Sequence, residues 1–114
     1  MIDNILSFIK ENNKDNVLDD KTLREYLLLH IKYNTCNILY NESGDIIAIS
    51  RWDIKGDTAY ILEVVVKKDY RRKGMLKDLV KIGSQMYPHV KYIEFERNWE
   101  EDSKMKKYKI ERFL

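Results

Sequence analysis

The chain has 114 residues, 21 of them Lys or Arg and 19 Asp or Glu, giving a formal net charge of +2. That length sets a single domain, residues 1–114, able to bury about two-thirds of the surface its unfolded chain exposes. A hydrophobic fraction of 44% excludes a disordered chain, and the near balance of charges excludes a polyanion binder of uniform positive potential. Cys36 is the only cysteine, so no internal disulfide forms, which fits a reducing compartment; the expected location is the cytoplasm. The start carries no signal-peptide pattern, and no apolar run reaches membrane-spanning length.

Ile2, Ile5, Leu6 and Ile9 are spaced as one face of a short helix, which the polar run from Glu11 to Asn16 ends. A second helix starts at Asp19 or Asp20, both good N-cap residues, and runs through Leu23, Tyr26, Leu27, Leu28 and Ile31. Cys36 to Tyr40 reads as a strand, Asn41 to Gly44 as a hairpin turn, and Ile46 to Ile54 as the return strand. A second turn, Lys55-Gly56-Asp57, leads into a strand from Thr58 to Val66. A helix from about Lys73 to Met86 stops at Tyr87-Pro88, because proline bars the residue before it from helical geometry. Val90 to Arg97 alternates as a further strand, parallel to the Thr58–Val66 strand because a helical crossover joins them. Asn98 to Asp102 forms a loop, and Ser103 caps a final short helix bearing Met105, Tyr108, Ile110 and Phe113. The expected order is two helices followed by β-β-β-α-β-α.

The most informative stretch is Ile61 to Val80. Its apolar, β-branched start has the composition of a strand buried on both faces. It then turns basic, with Lys67, Lys68, Arg71, Arg72 and Lys73 around Asp69 and Tyr70, before Gly74 opens the helix carrying Met75, Leu76, Leu79 and Val80. Backbone N–H groups converge at such a strand–turn–helix junction, and the helix adds roughly half a positive charge at its N-terminus. A phosphate or pyrophosphate suits that place. The plain alternative is a buried strand followed by a solvated basic loop.

The order of residues from Val66 to Leu76 resembles the acetyl-CoA-binding motif of the GNAT acetyltransferase superfamily: a valine, three variable residues, an aromatic, then Arg/Gln-x-x-Gly-x-Gly/Ala. Val66, Tyr70, Arg71 and Gly74 take the matching places, while Leu76 stands where the family has Gly or Ala. The resemblance covers roughly residues 36–113. It implies an α/β (α+β) fold with a mixed sheet, in which the central strand and the following parallel strand splay apart. It further implies acetyl-CoA as cofactor, its pyrophosphate on the turn formed by Arg71, Arg72, Lys73, Gly74, Met75 and Leu76. The pantetheine arm would pair with the backbone of Leu62 to Val66, including Val64 and Val65. Asn98 matches a family asparagine beside the pantetheine; otherwise it is a loop residue. The sequence ends where members usually continue with two more strands, so the resemblance leaves room for a homodimer partner or an open acceptor side.

Acetyl transfer needs a neutral amine, a polarised carbonyl and a proton for the leaving thiolate. In the family a tyrosine often supplies that proton, within a pattern like Tyr-x-x-x-Gly-Phe. Tyr108 and Phe113 take those positions, with Arg112 replacing the glycine. Tyr108 is either this general acid or an aromatic that packs the last helix against the sheet. Glu63 is the only charge inside the apolar strand, so it faces a polar cleft or meets a cation, and it is a candidate general base. Glu94 and Glu96 are alternatives from the next strand.

Other chemistry has little support. Cys36 lacks a catalytic His motif, and His30 and His89 have no metal partners at ligand spacing. The expected activity is N-acetylation of a small-molecule or protein amine. The alternative is a non-catalytic module of the same fold binding CoA or a protein partner. A third reading, a small nucleic-acid binder using the basic stretches, has less support because those stretches are local.

Overall fold

A computed structural model describes residues 1–13, 18–71, 73–96 and 105–114. Helix α1 spans Ile2–Asn12 and turns Ile5, Phe8 and Ile9 inward. Helix α2, Asp20–Lys32, begins as the sequence signals: the Asp19 carboxylate accepts from the Thr22 N–H at 2.7 Å, satisfying one orphan donor of the first turn. Strands β1 (Cys36–Tyr40), β2 (Ile46–Lys55) and β3 (Thr58–Val66) form an antiparallel meander. In the first hairpin the Asn41 side chain accepts from the N–H groups of Ser43 and Asp45. Gly44 takes a left-handed φ of 84° there. Helix α3, Met75–Met86, crosses to β4 (Tyr92–Glu96), which lies parallel to β3.

The five strands order as β1-β2-β3-β4-β5, and the fifth is a departure from expectation. Met105–Lys109, expected as a final helix, forms strand β5 antiparallel to β4, followed by a single 3₁₀ turn over Ile110–Phe113. Met105 and Tyr108 mimic helical spacing, but pairing with β4 satisfies backbone groups that would otherwise be an open edge. Tyr108 then lies opposite Ile93, while Lys107 and Lys109 fall on the other face. Exposed lysines on an outermost strand discourage further edge pairing. The expected loop at Asn98 to Asp102 and cap at Ser103 lie outside the described residues.

The register of β3 creates an opening in the sheet. Arg51 pairs with Glu63 and Trp52 with Ile61, so Leu62 is the extra residue of a β-bulge. A bulge bends its strand and sharpens the local twist. On the other side of β3, pairing with β4 is confined to Thr58–Tyr92, Ala59–Ile93 and Tyr60–Glu94. Beyond Tyr60 and Glu94 the two strands form no further pair among the described residues, and a fork opens. The bulge and the fork also correct an expectation. The strand is not buried on both faces along its length, because Leu62 is 53% exposed and Val64 37% exposed where the β4 neighbour is lost.

Two cores hold the sheet from opposite faces. Ile5, Phe8, Ile9, Leu23 and Leu27 of α1 and α2 pack on Ile49 and Val65. On the second face, Val80 of α3 joins Trp52, Ala59, Ile61, Val90, Ile93 and Ile110. Among the described residues no helix is long and apolar enough to cross a membrane.

Candidate functional site

Strand β3 ends at the basic turn. The Lys67 N–H donates to the Ile47 carbonyl at 2.8 Å and closes the β2–β3 ladder. A 3₁₀ turn over Lys68–Tyr70 follows, and Gly74 then takes a left-handed conformation, φ 78° and ψ 20°, as the N-cap of α3. Glycine meets that geometry without the steric penalty of a Cβ. No side chain of the described residues caps the helix, so its first N–H groups remain for an outside acceptor. Nothing lies within 4 Å of where a Cβ on Gly74 would stand, which leaves the approach open. Lys68 and Lys73 are exposed around this point, and the Lys73 ammonium sits 5.7 Å from the Tyr70 ring centre.

Arg71 is spent differently. Its Nε donates to the Val66 carbonyl at 3.1 Å, and a terminal nitrogen donates to the Asn12 carbonyl at 2.9 Å. It therefore ties the turn back to its own strand and to the end of α1. Leu76 packs on the core cluster around Trp52 and Val80, and Met75 is half-buried beside it. On β3, Val65 is buried on the α1/α2 side, while Val64 and Val66 border the fork. Arg72 and Asn98 lie outside the described residues.

Glu63 faces the α1/α2 side of the sheet. One carboxylate oxygen accepts from Arg51 Nε at 3.1 Å, and the other from Asn13 Nδ2 at 3.2 Å. The Arg51 and Glu63 side chains are only 10% and 12% exposed, and the guanidinium lies 5.9 Å from the Tyr26 ring centre. The carboxylate found the cation that its buried position demanded, and sequence reasoning had no means of seeing either partner. Removing one member of a buried pair strands the other. Glu63→Ala is expected to cost about 3 kcal/mol of stability, lowering Tm by roughly 12–15 °C in a thermal melt. A shift of a degree or two would mean the pair is solvated.

Tyr108 lies in β5, not on a helix. Its ring stacks on Phe95 at 5.3 Å, meets Phe113 edge-on at 6.1 Å, and has the Arg112 guanidinium 5.2 Å from its centre. It shares a face with its pairing partner Ile93, which pairs with Ala59 just below the fork. Strand spacing then puts it about 10 Å across the sheet from β3. Glu94 pairs with Tyr60 at the last rung before the strands part. Burial pushes the half-buried Cys36 thiol up to about 11, against an opposing pull from Arg51, so the thiol is protonated at neutral pH and is a poor nucleophile. Among the described residues no group of three or more His, Cys, Asp or Glu side chains is placed to hold a metal. At the site, sequence reasoning missed the Leu62 bulge and the Arg51 and Asn13 partners of Glu63; a lone Glu in an apolar run was the available hint of those partners.

No protein-family model matches the sequence, and no curated protein matches it. Solved structures do. Diaminobutyrate acetyltransferase from Paenibacillus lautus, in complex with L-2,4-diaminobutyric acid and coenzyme A, superposes with a TM-score of 0.65 at 21% identity, over 84% of this chain and 59% of its own. PaiA N-acetyltransferase from Thermoplasma acidophilum, in complex with coenzyme A, gives 0.62 at 15% identity, over 89% and 76%. The GNAT-like decarboxylase GphF, in complex with isobutyryl-CoA, gives 0.64 at 12% identity, over 88% and 63%. The chain thus has the GNAT fold, and it spans about three-fifths of the length of the diaminobutyrate acetyltransferase and of GphF, 59% and 63%.

Proposed function

We propose that this chain binds acetyl-CoA in the fork between β3 and β4 and transfers the acetyl group to an amine. One observation carries the reading: the edge of β3 beyond Tyr60, unpaired among the described residues, leads through the basic turn to an uncapped helix N-terminus at a left-handed glycine. Such an edge accepts an extended amide-bearing arm as an added strand, and the helix end accepts the attached pyrophosphate. The residues present fit the cofactor, because the approach to Gly74 is open and the local charge is positive. Neighbours of the same fold bind coenzyme A or an acyl-CoA, which supports the choice.

Bound there, the thioester supplies an activated acyl group. The chain's part is to align it along Leu62 to Val66, to hold the phosphates at Lys73 to Leu76, and to keep the turn in place through Arg71. Tyr108 is assigned the proton for the departing thiolate, from its place beside the fork. Glu63, with both oxygens engaged on the far face, is assigned to fixing the bent part of β3; a base role would require it to release Asn13. Glu94, at the last paired rung before the fork, is the other carboxylate near it.

Calorimetric titration with acetyl-CoA, followed by acetyl-transfer assays on an amine panel, tests the reading. Tyr108→Phe keeps the ring and its stacking, so it is expected to lower turnover at least a hundredfold with acetyl-CoA affinity unchanged. Undiminished turnover would assign Tyr108 to packing. A second reading, a non-catalytic module that binds CoA or a protein partner, is favoured by the packed setting of the Tyr108 ring. It predicts acetyl-CoA binding, or partner binding, with no transfer to any amine.

A further inference from the structure

A pocket of about 990 Å³ opens away from the fork, at the other end of β3, where the β2–β3 turn, the end of α2 and the segment after α3 meet. With β3 rising about 3.3 Å per residue, the pocket lies roughly 25 Å from Gly74. It belongs to a different part of the molecule.

Its construction explains why it is open. The Tyr87 hydroxyl donates to the Tyr33 carbonyl, linking the end of α3 to the end of α2 across the sheet edge. Below that bridge, the Lys91 and Tyr92 N–H groups both donate to the Asp57 carbonyl, at 2.7 and 3.1 Å, fixing the β2–β3 turn against the start of β4. The space between these two ties is walled by Leu29, Tyr33 and Ile54, with the Trp52 ring behind. Leu29 and Tyr33 are 50% and 58% exposed, so both leave apolar surface open at this place. His30 at the back is engaged by the Thr35 hydroxyl at 2.7 Å. Burial and the Arg51 charge hold its pKa below the ordinary value, so the back of the pocket carries no fixed charge at neutral pH.

The charges that line the rim do not neutralise each other. Asp53 has only a loose 3.8 Å contact with the exposed Lys55, and Asp57 accepts from its own neighbour Thr58 at 3.1 Å. Lys91 lines the same pocket, yet its ammonium makes no ion pair with either carboxylate among the described residues. Two aspartates and one lysine thus line an apolar-walled space, and none of the three charges is matched by another of them. A ligand complementary to such a rim carries a cation, an anion and an apolar body.

We propose that this pocket binds a zwitterionic amino-acid-type ligand. Its ammonium lies at Asp53 and Asp57, its carboxylate at Lys91, and its apolar side chain against Leu29, Tyr33 and Ile54. The site is separate from the acyl-CoA fork, and the inference does not rest on the acetyltransferase reading.

The test uses the full chain and three probes that share one ring: L-phenylalanine, phenethylamine and 3-phenylpropionate. Calorimetry or ligand-induced chemical shifts are expected to show phenylalanine binding at least tenfold more tightly than either singly charged analogue. Asp57→Asn should weaken phenylalanine about tenfold and leave 3-phenylpropionate unchanged, while Lys91→Met should weaken phenylalanine and leave phenethylamine unchanged. Asp57 is exposed, as is Lys91, so both variants should melt close to the parent, and a melt confirms that. Gly74→Glu should leave phenylalanine binding untouched. Three equal affinities would show only an apolar groove and overturn the proposal. So would no binding at millimolar probe, insensitivity to both variants, or loss of binding in Gly74→Glu.

Discussion

Gly74→Glu is expected to lower acetyl-CoA affinity by a hundredfold or more while the protein stays folded. Two effects of different size act at this position. The left-handed φ of 78° carries a steric penalty for any residue with a Cβ, of about 1–2 kcal/mol. Nothing stands within 4 Å of the new Cβ, so no clash adds to it. A carboxylate at a helix N-terminus also recovers several tenths of a kcal/mol from the helix dipole. The net cost to folding is thus about 1 kcal/mol, a fall in Tm of roughly 4 °C. The cost to binding is larger, because the new carboxylate stands where the proposed site puts the pyrophosphate, and like charges at such range cost several kcal/mol. Gly74→Ala separates the two, since it keeps the strain and omits the charge; it should bind within about tenfold of the parent. The measurements are calorimetric titration and a thermal melt on the three proteins. Parent-like affinity in Gly74→Glu would remove the turn from the site and, with it, the main support for the acyl-CoA reading.

That prediction rests on residues legible in the sequence, because the turn is a local device. Glycine in a basic strand-to-helix junction has few structural meanings, and Asp19, Gly44 and Pro88 mark their elements by chemistry confined to a few neighbours. The parallel placement of β4 also followed from the chain alone, since a right-handed crossover permits little else. What the sequence hid depends on partners distant along the chain. Met105 to Lys109 has no strong period of its own, and its strand state is decided by the open edge of β4. Glu63 announced that something was needed beside it, but Arg51 and Asn13 reach it only through sheet register and the end of α1. The Leu62 bulge is hidden for the same reason: an extra residue in a run of apolar side chains changes no pattern until β2 and β3 are paired. The pocket at the opposite end of β3 gathers residues from α2, β2 and the segment after α3, and no motif links them.

Gly83→Ala is expected to destabilise the protein by about 2 kcal/mol or more, although alanine is the better helix former. In an exposed helix interior the exchange would gain about 1 kcal/mol. Here the helix presses on a buried ring. A Cβ at residue 83 would come 2.2, 2.5 and 2.8 Å from the Cη2, Cζ3 and Cζ2 atoms of Trp52. The indole is 1% exposed, and its Nε1 donates to the Ser50 hydroxyl at 2.9 Å, so it has little room to yield. Overpacking of this kind costs 1–3 kcal/mol and sometimes more, which outweighs the propensity gain, and Tm should fall by roughly 10 °C. Residue 83 also lies nine positions after Gly74 on or next to the same helix, about 13 Å along its axis. Any outward shift of α3 that relieves the clash moves the N–H groups that the proposed site assigns to the pyrophosphate, so acetyl-CoA binding should weaken in the same variant. Trp52→Phe removes the outer ring of the indole, and in that background Gly83→Ala should become neutral or mildly stabilising. Melts of the two single variants and the double complete the cycle. A rise in Tm for Gly83→Ala alone would mean that α3 does not seat on Trp52, and the position of its N-terminus beside the fork would fall with that contact.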